Sequence, residues 1–346
     1  MSKHLGQSAY LSLIRNGTVS LDDIKDDTAV FLSLHMQEEC DDNYDQDIFS
    51  LCNDLYSKGC FIIADISKNT LKQLDVDIDT LVDRYHLGAL RIDYGFSLQE
   101  IMEIARKHRV VLNASTMSIE DMVKVKECGR IVAMHNFYPR KETGLDEDRF
   151  LEINRELKKN GIEVMAFIPG KIKRGPLYEG LVTLEKQRYQ NAYVSYVEMI
   201  RRFDVDQVYL SEPGIDDKDL ERIRLFNERD LICLSVDIAD EYRYLLDRPF
   251  TNRIDSPNGL IRILESREYS RSTDRMIKPS NCIKRFAGSI TIDNELYKRY
   301  CGEIQIMKRD YPQDEKVNVI GKVKADNLEL LKLIDRNVSF MLTDQD

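Results

Sequence analysis

Short apolar runs recur along the first two thirds of the chain, each separated from the next by a segment of helical texture. The runs are Leu5–Tyr10, Ala29–His35, Cys60–Ile66, Ala89–Asp93, Val110–Ala114, Ile131–Asn136, Glu163–Ile168 and Gln207–Leu210. Most are continuous and β-branched rather than alternating, the pattern of parallel strands covered on both faces. Between them, Leu98, Ile101, Met102 and Ala105 share one helical face, and Phe150, Ile153 and Leu157 another. Gly59, Gly88, Gly129 and Gly161 fall just before strands, where helices commonly end in a left-handed turn. Ser118-x-x-Asp121 predicts a helix start. Eight strand–helix units in about 225 residues fit a closed (βα)8 barrel better than an open doubly wound sheet. The first unit is the shortest, because Asn16–Asp27 is brief and polar.

After Asn227 the texture changes. Leu231–Val236, Leu260–Leu264, Gly288–Ile292, Glu303–Met307, Val317–Val323 and Val338–Leu342 read as strands joined by turns, and Asn327–Ile334 alone reads as helix. This predicts a second, mainly antiparallel domain, a small barrel. The expected organisation is an α/β (TIM) barrel over residues 1–228 followed by a β domain over residues 229–346.

Charge narrows the partners. The chain is 42% hydrophobic and 32% charged with a formal net charge of −10, an acidic surface that attracts neither nucleic acid nor an anionic membrane. No run is apolar and long enough for a signal-peptide core or a membrane span. Seven scattered cysteines without a C-x-x-C pair read as reduced, buried thiols of a cytoplasmic protein. Five histidines without metal-ligand spacing give no metal signature. Asp41-Asp42-Asn43-Tyr44-Asp45 is a poor calcium loop, because Gln46 and Cys52 stand at its sixth and twelfth positions.

In a barrel of this kind the chemistry sits at the C-terminal strand ends. Those positions hold Asp65, Asp93, Asn113, the run His135-Asn136-Phe137-Tyr138-Pro139-Arg140, and Glu212. Carboxylates predominate, which suits glycoside hydrolysis: one protonates the leaving oxygen and another attacks or stabilises the ring. Asp93 ends a strand and is rigidly aimed. Glu179 and Glu185, in the long segment after the seventh strand, are candidates for its partner or else solvated loop residues. The same segment carries Lys171, Lys173 and Arg174, a cationic cluster suited to phosphate or carboxylate. No phosphate-loop or dinucleotide glycine pattern is present.

Taken together, these blocks resemble the bacterial 6-phospho-N-acetylmuramidase family. The resemblance is carried by Leu5-Gly6-x-Ser8-x-Tyr10, Leu90-Arg91-Ile92-Asp93-x-Gly95-Phe96, His135-Asn136-Phe137-Tyr138-Pro139 with Thr143-Gly144-Leu145, and Glu179-Gly180-Leu181-x-Thr183-Leu184-Glu185-x-x-Arg188. It continues through Gly288-Ser289-Ile290-x-Ile292-Asp293-Asn294, Tyr300-x-Gly302-Glu303-Ile304-Gln305-Ile306 and Asn318-Val319-Ile320-Gly321. It implies a barrel followed by a cyclophilin-like β-barrel. The implied activity is cytoplasmic hydrolysis of N-acetylmuramic acid 6-phosphate-β-1,4-N-acetylglucosamine in peptidoglycan recycling, with no cofactor. Asp93 would pair with Glu185 or Glu179, while Asp65 would tune a neighbouring carboxylate by like-charge proximity. Asn113, His135, Asn136 and Tyr138 would position the sugar. Arg140, Arg174, Arg188 and Arg253 would meet its phosphate and lactyl carboxylate, with Glu303 beside them. The 2-acetamido group also opens substrate-assisted catalysis. Two places depart from the family pattern: Val111, where a Glu is expected, and Leu210-Ser211-Glu212-Pro213, where a glycine-containing turn is expected. The competing readings are a non-catalytic phospho-sugar-binding protein, a glycosidase for another 6-phospho-disaccharide, and a barrel lyase or aldolase. The last is disfavoured because no lysine ends a strand before the seventh. The second domain is read as a lid over the pocket, with homodimerisation as its alternative role.

Overall fold

The computed structural model describes residues 5–34, 43–267 and 276–344 and divides into two compact units, Met1–Asp216 and Asp217–Asp346. The first is a closed barrel of eight parallel strands in sequence order. They are β1 (Leu5–Ala9), β2 (Ala29–Ser33), β3 (Phe61–Ile66), β4 (Leu87–Ile92), β5 (Val110–Asn113), β6 (Ile131–Met134), β7 (Glu163–Ile168) and β8 (Gln207–Leu210). Around them run α1 (Leu11–Arg15), α2 (Tyr44–Ser57), α3 (Lys68–Leu74), α4 (Ile78–Arg84), α5 (Leu98–Lys107), α6 (Ile119–Lys126), α7 (Glu147–Lys159) and α8 (Ala192–Arg201). Every expected strand of the first unit is present, and the first helix is only five residues long. His35, the expected end of the second strand, and Asp41 and Asp42 lie outside the described residues.

Local chemistry sets the helix ends. Ser118 Oγ accepts from the Asp121 N–H and caps α6, and Ser97 with Glu100 forms a reciprocal capping box on α5. Gly59 and Gly161 are left-handed, as expected. Gly88 and Gly129 are not: His86 takes the left-handed turn before β4, and Gly88 lies inside that strand. Gly129 is required by proximity instead, since a Cβ there would stand 1.8 Å from the Ala105 carbonyl oxygen.

Inward-facing residues repeat every second position along each strand. Phe31, Ile63, Ala89, Val111, Val132, Met134, Met165, Phe167 and Tyr209 fill the barrel and are at most 3% exposed. Val111 therefore belongs to this apolar layer. One step further along the same faces come Ser33, Asp65, Arg91, Asn113 and Asn136. The interior thus changes from apolar to polar at the C-terminal ends of the strands.

The second unit opens with α9 (Asp217–Arg229), which packs on β9 (Leu231–Ile238), and Arg222 there donates to Thr343 Oγ1 at 3.2 Å. Five of the remaining strands follow the sequence pattern: β11 (Leu260–Arg262), β12 (Ser289–Asp293), β13 (Ile304–Met307), β14 (Val317–Val323) and β15 (Ser339–Thr343). A further strand, β10 (Pro249–Thr251), is too short to leave a pattern. The sheet order is β10-β15-β9-β14-β12-β13-β11, antiparallel except where β9 pairs with β15. An Asn252–Ile263 bridge ties the outer strands together, so the sheet curls on itself. The expected helix near Asn327–Ile334 is a 3-10 segment, Ala325–Leu333.

Burial leaves a titration signature in this unit. Asp293 is 5% exposed, and its carboxyl is pushed up to about 7 by desolvation, then by the charges of Glu303 and Asp314. The folded state therefore holds a proton that the unfolded chain releases near pH 4. The stability this gives is full below that pH and is lost as pH rises through about 7. The loss is on the order of 2–4 kcal/mol. Asp293→Asn is expected to flatten the decline in melting temperature between pH 5.5 and 8.5, and an equal decline in both proteins would refute this.

Candidate active site

Four adjacent strands bring the polar tier together. Arg91 Nη1 donates to Asp65 Oδ1 at 2.6 Å, both side chains being nearly inaccessible, and Nη2 donates to Asn136 Oδ1. The Asn113 side-chain N–H reaches Asp93 Oδ1 at 3.3 Å, while its own oxygen accepts from the Ser115 N–H at 3.0 Å. These bonds join Asp65, Arg91 and Asn136 in one group and Asp93 with Asn113 in a second, and Ser115 links the two. The like-charge role expected of Asp65 gives way to a buried ion pair with Arg91. Asp93 stands partly open at the end of its strand.

The segments after β6 and β7 form a second assembly built on Arg188. This guanidinium is 2% exposed, and all its N–H directions are used. Nε and Nη2 fork onto Glu185 at 2.7 and 2.6 Å, Nη1 reaches the carbonyls of Tyr138 and Gly180, and Nη2 that of Arg140. Glu185 also accepts from the Gly144 N–H at 2.8 Å. Held chiefly by Arg188, its carboxyl is lowered to about 2. Glu179 pairs with Lys141 at 2.7 Å, which lowers it as well, and accepts from Tyr189. Both glutamates are anions at neutral pH. Arg188 is therefore a clamp on the loops, where a direct contact with substrate was expected. Thr183 Oγ1 donates to the Asn136 carbonyl at 2.9 Å and joins this assembly to the tier.

At the end of β8, Glu212 is fully buried and accepts from the Arg174 N–H at 3.0 Å and Lys173 Nζ at 3.2 Å. The Arg174 guanidinium lies 4.4 Å over the Tyr10 ring, and the Tyr10 hydroxyl donates to the Ser211 carbonyl. Gly214, the residue after this run, is left-handed at φ +84°.

His135 is excluded from the mouth by strand parity. Met134 and Asn136 face inward, so His135 faces outward, fully buried between β6 and α7. Its Nε2 meets Asn154 Oδ1 at 2.7 Å, its ring packs on Phe150, and desolvation holds it neutral at about 4. Among the described residues, no group of three or more His, Cys, Asp or Glu side chains is arranged to hold a metal ion. Clefts of about 700 and 790 Å³ open beside α3–α5 and in the second unit, both lined by other residues.

The model of the 6-phospho-N-acetylmuramidase N-terminal region matches residues 6–225, and that of its C-terminal region matches residues 232–343. The chain belongs to the 6-phospho-N-acetylmuramidase family. That name is a glycosidase's, and a phosphorylated sugar fits it as substrate. A crystal structure of a conserved Enterococcus faecalis protein of unknown function is 30% identical with a TM-score of 0.82, over 99% of this chain and 96% of that one. An uncharacterized B. cereus protein, 21% identical with a TM-score of 0.77 over 99% and 100%, shares the fold. No curated protein matches. No described helix is long and apolar enough to cross a membrane.

In the C-terminal region of this 6-phospho-N-acetylmuramidase-family chain, Arg253 and Glu303 lie in one buried cluster. Arg253 forks onto Asp255 at 2.9 and 2.7 Å and stands 3.6 Å from Glu303, which also accepts from Arg262 at 3.0 Å. The sequence reading missed Arg91 and Tyr10 as site residues. For Arg91 the signal was available: a charge inside an apolar strand, in phase with Asp93.

Proposed function

We propose that this chain hydrolyses the β-1,4 bond of N-acetylmuramic acid 6-phosphate-N-acetylglucosamine, serving cytoplasmic peptidoglycan recycling, with Asp93 as the carboxylate at the scissile bond. The observation that carries this is the polar tier capping an apolar barrel in a chain that matches this family over both units. Asp93 is aimed by β4 and steadied by Asn113. In the reaction the 2-acetamido oxygen bonds to C1 as the bond from C1 to the departing N-acetylglucosamine oxygen breaks, and that oxygen takes the Asp93 proton. Water then adds to C1, the acetamido oxygen leaves C1, and the water's proton returns to Asp93. Because Glu185 and Glu179 are held as anions by their cations, neither serves as a proton donor at neutral pH. The substrate's own 2-acetamido oxygen suits the role of internal nucleophile, which leaves one protein carboxylate to move the proton.

The anionic ends of such a substrate need cations away from Asp93. Arg174 on its Tyr10 platform supplies one after β7, beside Lys171 and Lys173, which are paired with Asp216 and Glu212. Arg140 is exposed after β6, and its guanidinium pairs with no carboxylate among the described residues. The curled sheet of the second unit suits the cyclophilin-like barrel that the family resemblance implies.

The test is release of N-acetylglucosamine from the disaccharide with and without its 6-phosphate. A phosphate met by two charge-assisted hydrogen bonds predicts a kcat/KM at least about 100-fold higher for the phosphorylated form. Equal rates would overturn the phosphate reading. Tight binding without release would mark a phospho-sugar-binding protein, and release only from a different 6-phospho-disaccharide would correct the substrate.

A further inference from the structure

Asn136 is fixed at three points. Its backbone N–H donates to Ser115 Oγ at 3.0 Å, its carbonyl accepts from Thr183 Oγ1 at 2.9 Å, and its side-chain oxygen accepts from Arg91 Nη2. A guanidinium offers five donors and no acceptor. The reversed amide would set its NH2 against the Arg91 N–H groups, donor against donor, so the orientation follows from chemistry. Arg91 is fixed in turn. It is 4% exposed, held by Asp65 at 2.6 Å, and lies 6.0 Å over the Phe31 ring. The Asn136 NH2 group consequently points away from Arg91, on a half-buried side chain whose strand face also carries Met134.

We propose that Arg91 is a positioning residue that locks the Asn136 amide with its N–H donors toward the sugar, where they read the carbonyl oxygen of a 2-acetamido group. This rests on the phospho-glycosidase reading and adds the substrate group that the tier selects. Hydroxyls can donate or accept and meet either amide orientation equally well. Phosphate and carboxylate are better met by the cations after β7. The acetamido oxygen is purely an acceptor, and a neutral N–H donor matches it. It is also carried on C2, next to the C1 whose bond would face Asp93, and Asn113, which holds Asp93, lies one strand away from Asn136.

The experiment compares N-acetylglucosamine 6-phosphate with glucose 6-phosphate, which differ only at C2. It reads the preference from equilibrium binding of both, because glucose 6-phosphate lacks the internal nucleophile, and separately measures hydrolysis of their 4-nitrophenyl β-glycosides. The wild-type chain is expected to prefer the acetamido compound about tenfold, the worth of one well-made hydrogen bond. Asn136→Asp keeps the size of the side chain and its bond to Arg91 but replaces the donor with an acceptor. Arg91→Lys keeps the charge against Asp65 but loses the second arm, and avoids the unpaired buried carboxylate that an apolar substitution would leave. Both variants are expected to bring the preference within about twofold, whereas a merely structural role would weaken both ligands alike. A wild type without preference, or variants that keep it, would overturn the inference. Loss in Asn136→Asp alone would remove the role given to Arg91. Acetamido-selective binding with no hydrolysis of either glycoside would sink the glycosidase reading and leave this inference standing.

Discussion

Asp93→Asn is expected to fold normally and to lose turnover on the phospho-disaccharide by about 10²- to 10⁴-fold, the range for removing a positioned proton-transfer group. Structure and chemistry separate cleanly at this position. Asp93 stands partly open at the end of β4, and Asn113 donates to its Oδ1 at 3.3 Å. An asparagine fills the same space and keeps a carbonyl oxygen to accept that bond, so the melting temperature should move by no more than a surface substitution does, about 0.5 kcal/mol. What disappears is the ability to give and take a proton. The measurement is N-acetylglucosamine release beside a thermal melt of the same sample. A variant that melts like wild type and turns over near the wild-type rate would remove Asp93 from the mechanism. One that fails to fold would show that Asp93 is needed by the tier itself.

The barrel was legible because its strands are buried on both faces and so appear as continuous β-branched runs. The curled sheet was legible in outline only. Its β10 has three residues, and the Asn252–Ile263 bridge between its outer strands is one that no pattern announces. Within the site, both the strand ends and their phase are written in the pattern. Period-two counting from the apolar layer puts Arg91, Asp93, Asn113 and Asn136 inside and His135 outside. His135 begins a distinctive run, which places it at the mouth by motif but not by parity, and Arg91 stands one inward-facing step before Asp93 at the end of the same strand. The pairing of Glu185 with Arg188 is a different case. A spacing of three allows contact, but only the folded chain shows that the guanidinium is buried and takes three carbonyls as well.

That clamp carries the second large effect. Arg188→Met, similar in length but without donors, would leave the carbonyls of Tyr138, Gly180 and Arg140 unpaired and strand the Glu185 carboxylate. Breaking a buried ion pair from one side costs about 3–5 kcal/mol. Glu185 keeps 29% of its side chain exposed, so water recovers part of its share. A loss of about 2–4 kcal/mol should appear as a fall of roughly 5–15 °C in melting temperature for a unit of this size. Activity should vanish with it, because Thr183 ties the same segment to Asn136. Glu185→Gln distinguishes the two meanings of this pair. If Glu185 serves the clamp, glutamine still accepts one bond from Arg188, and turnover should fall by less than about tenfold, with a smaller melting shift. If Glu185 is the catalytic partner of Asp93, glutamine should abolish turnover while the protein melts near the wild-type temperature. The clamp predicts the first result, because Arg188 occupies both Glu185 carboxylate oxygens and the Gly144 N–H adds a further bond to one of them.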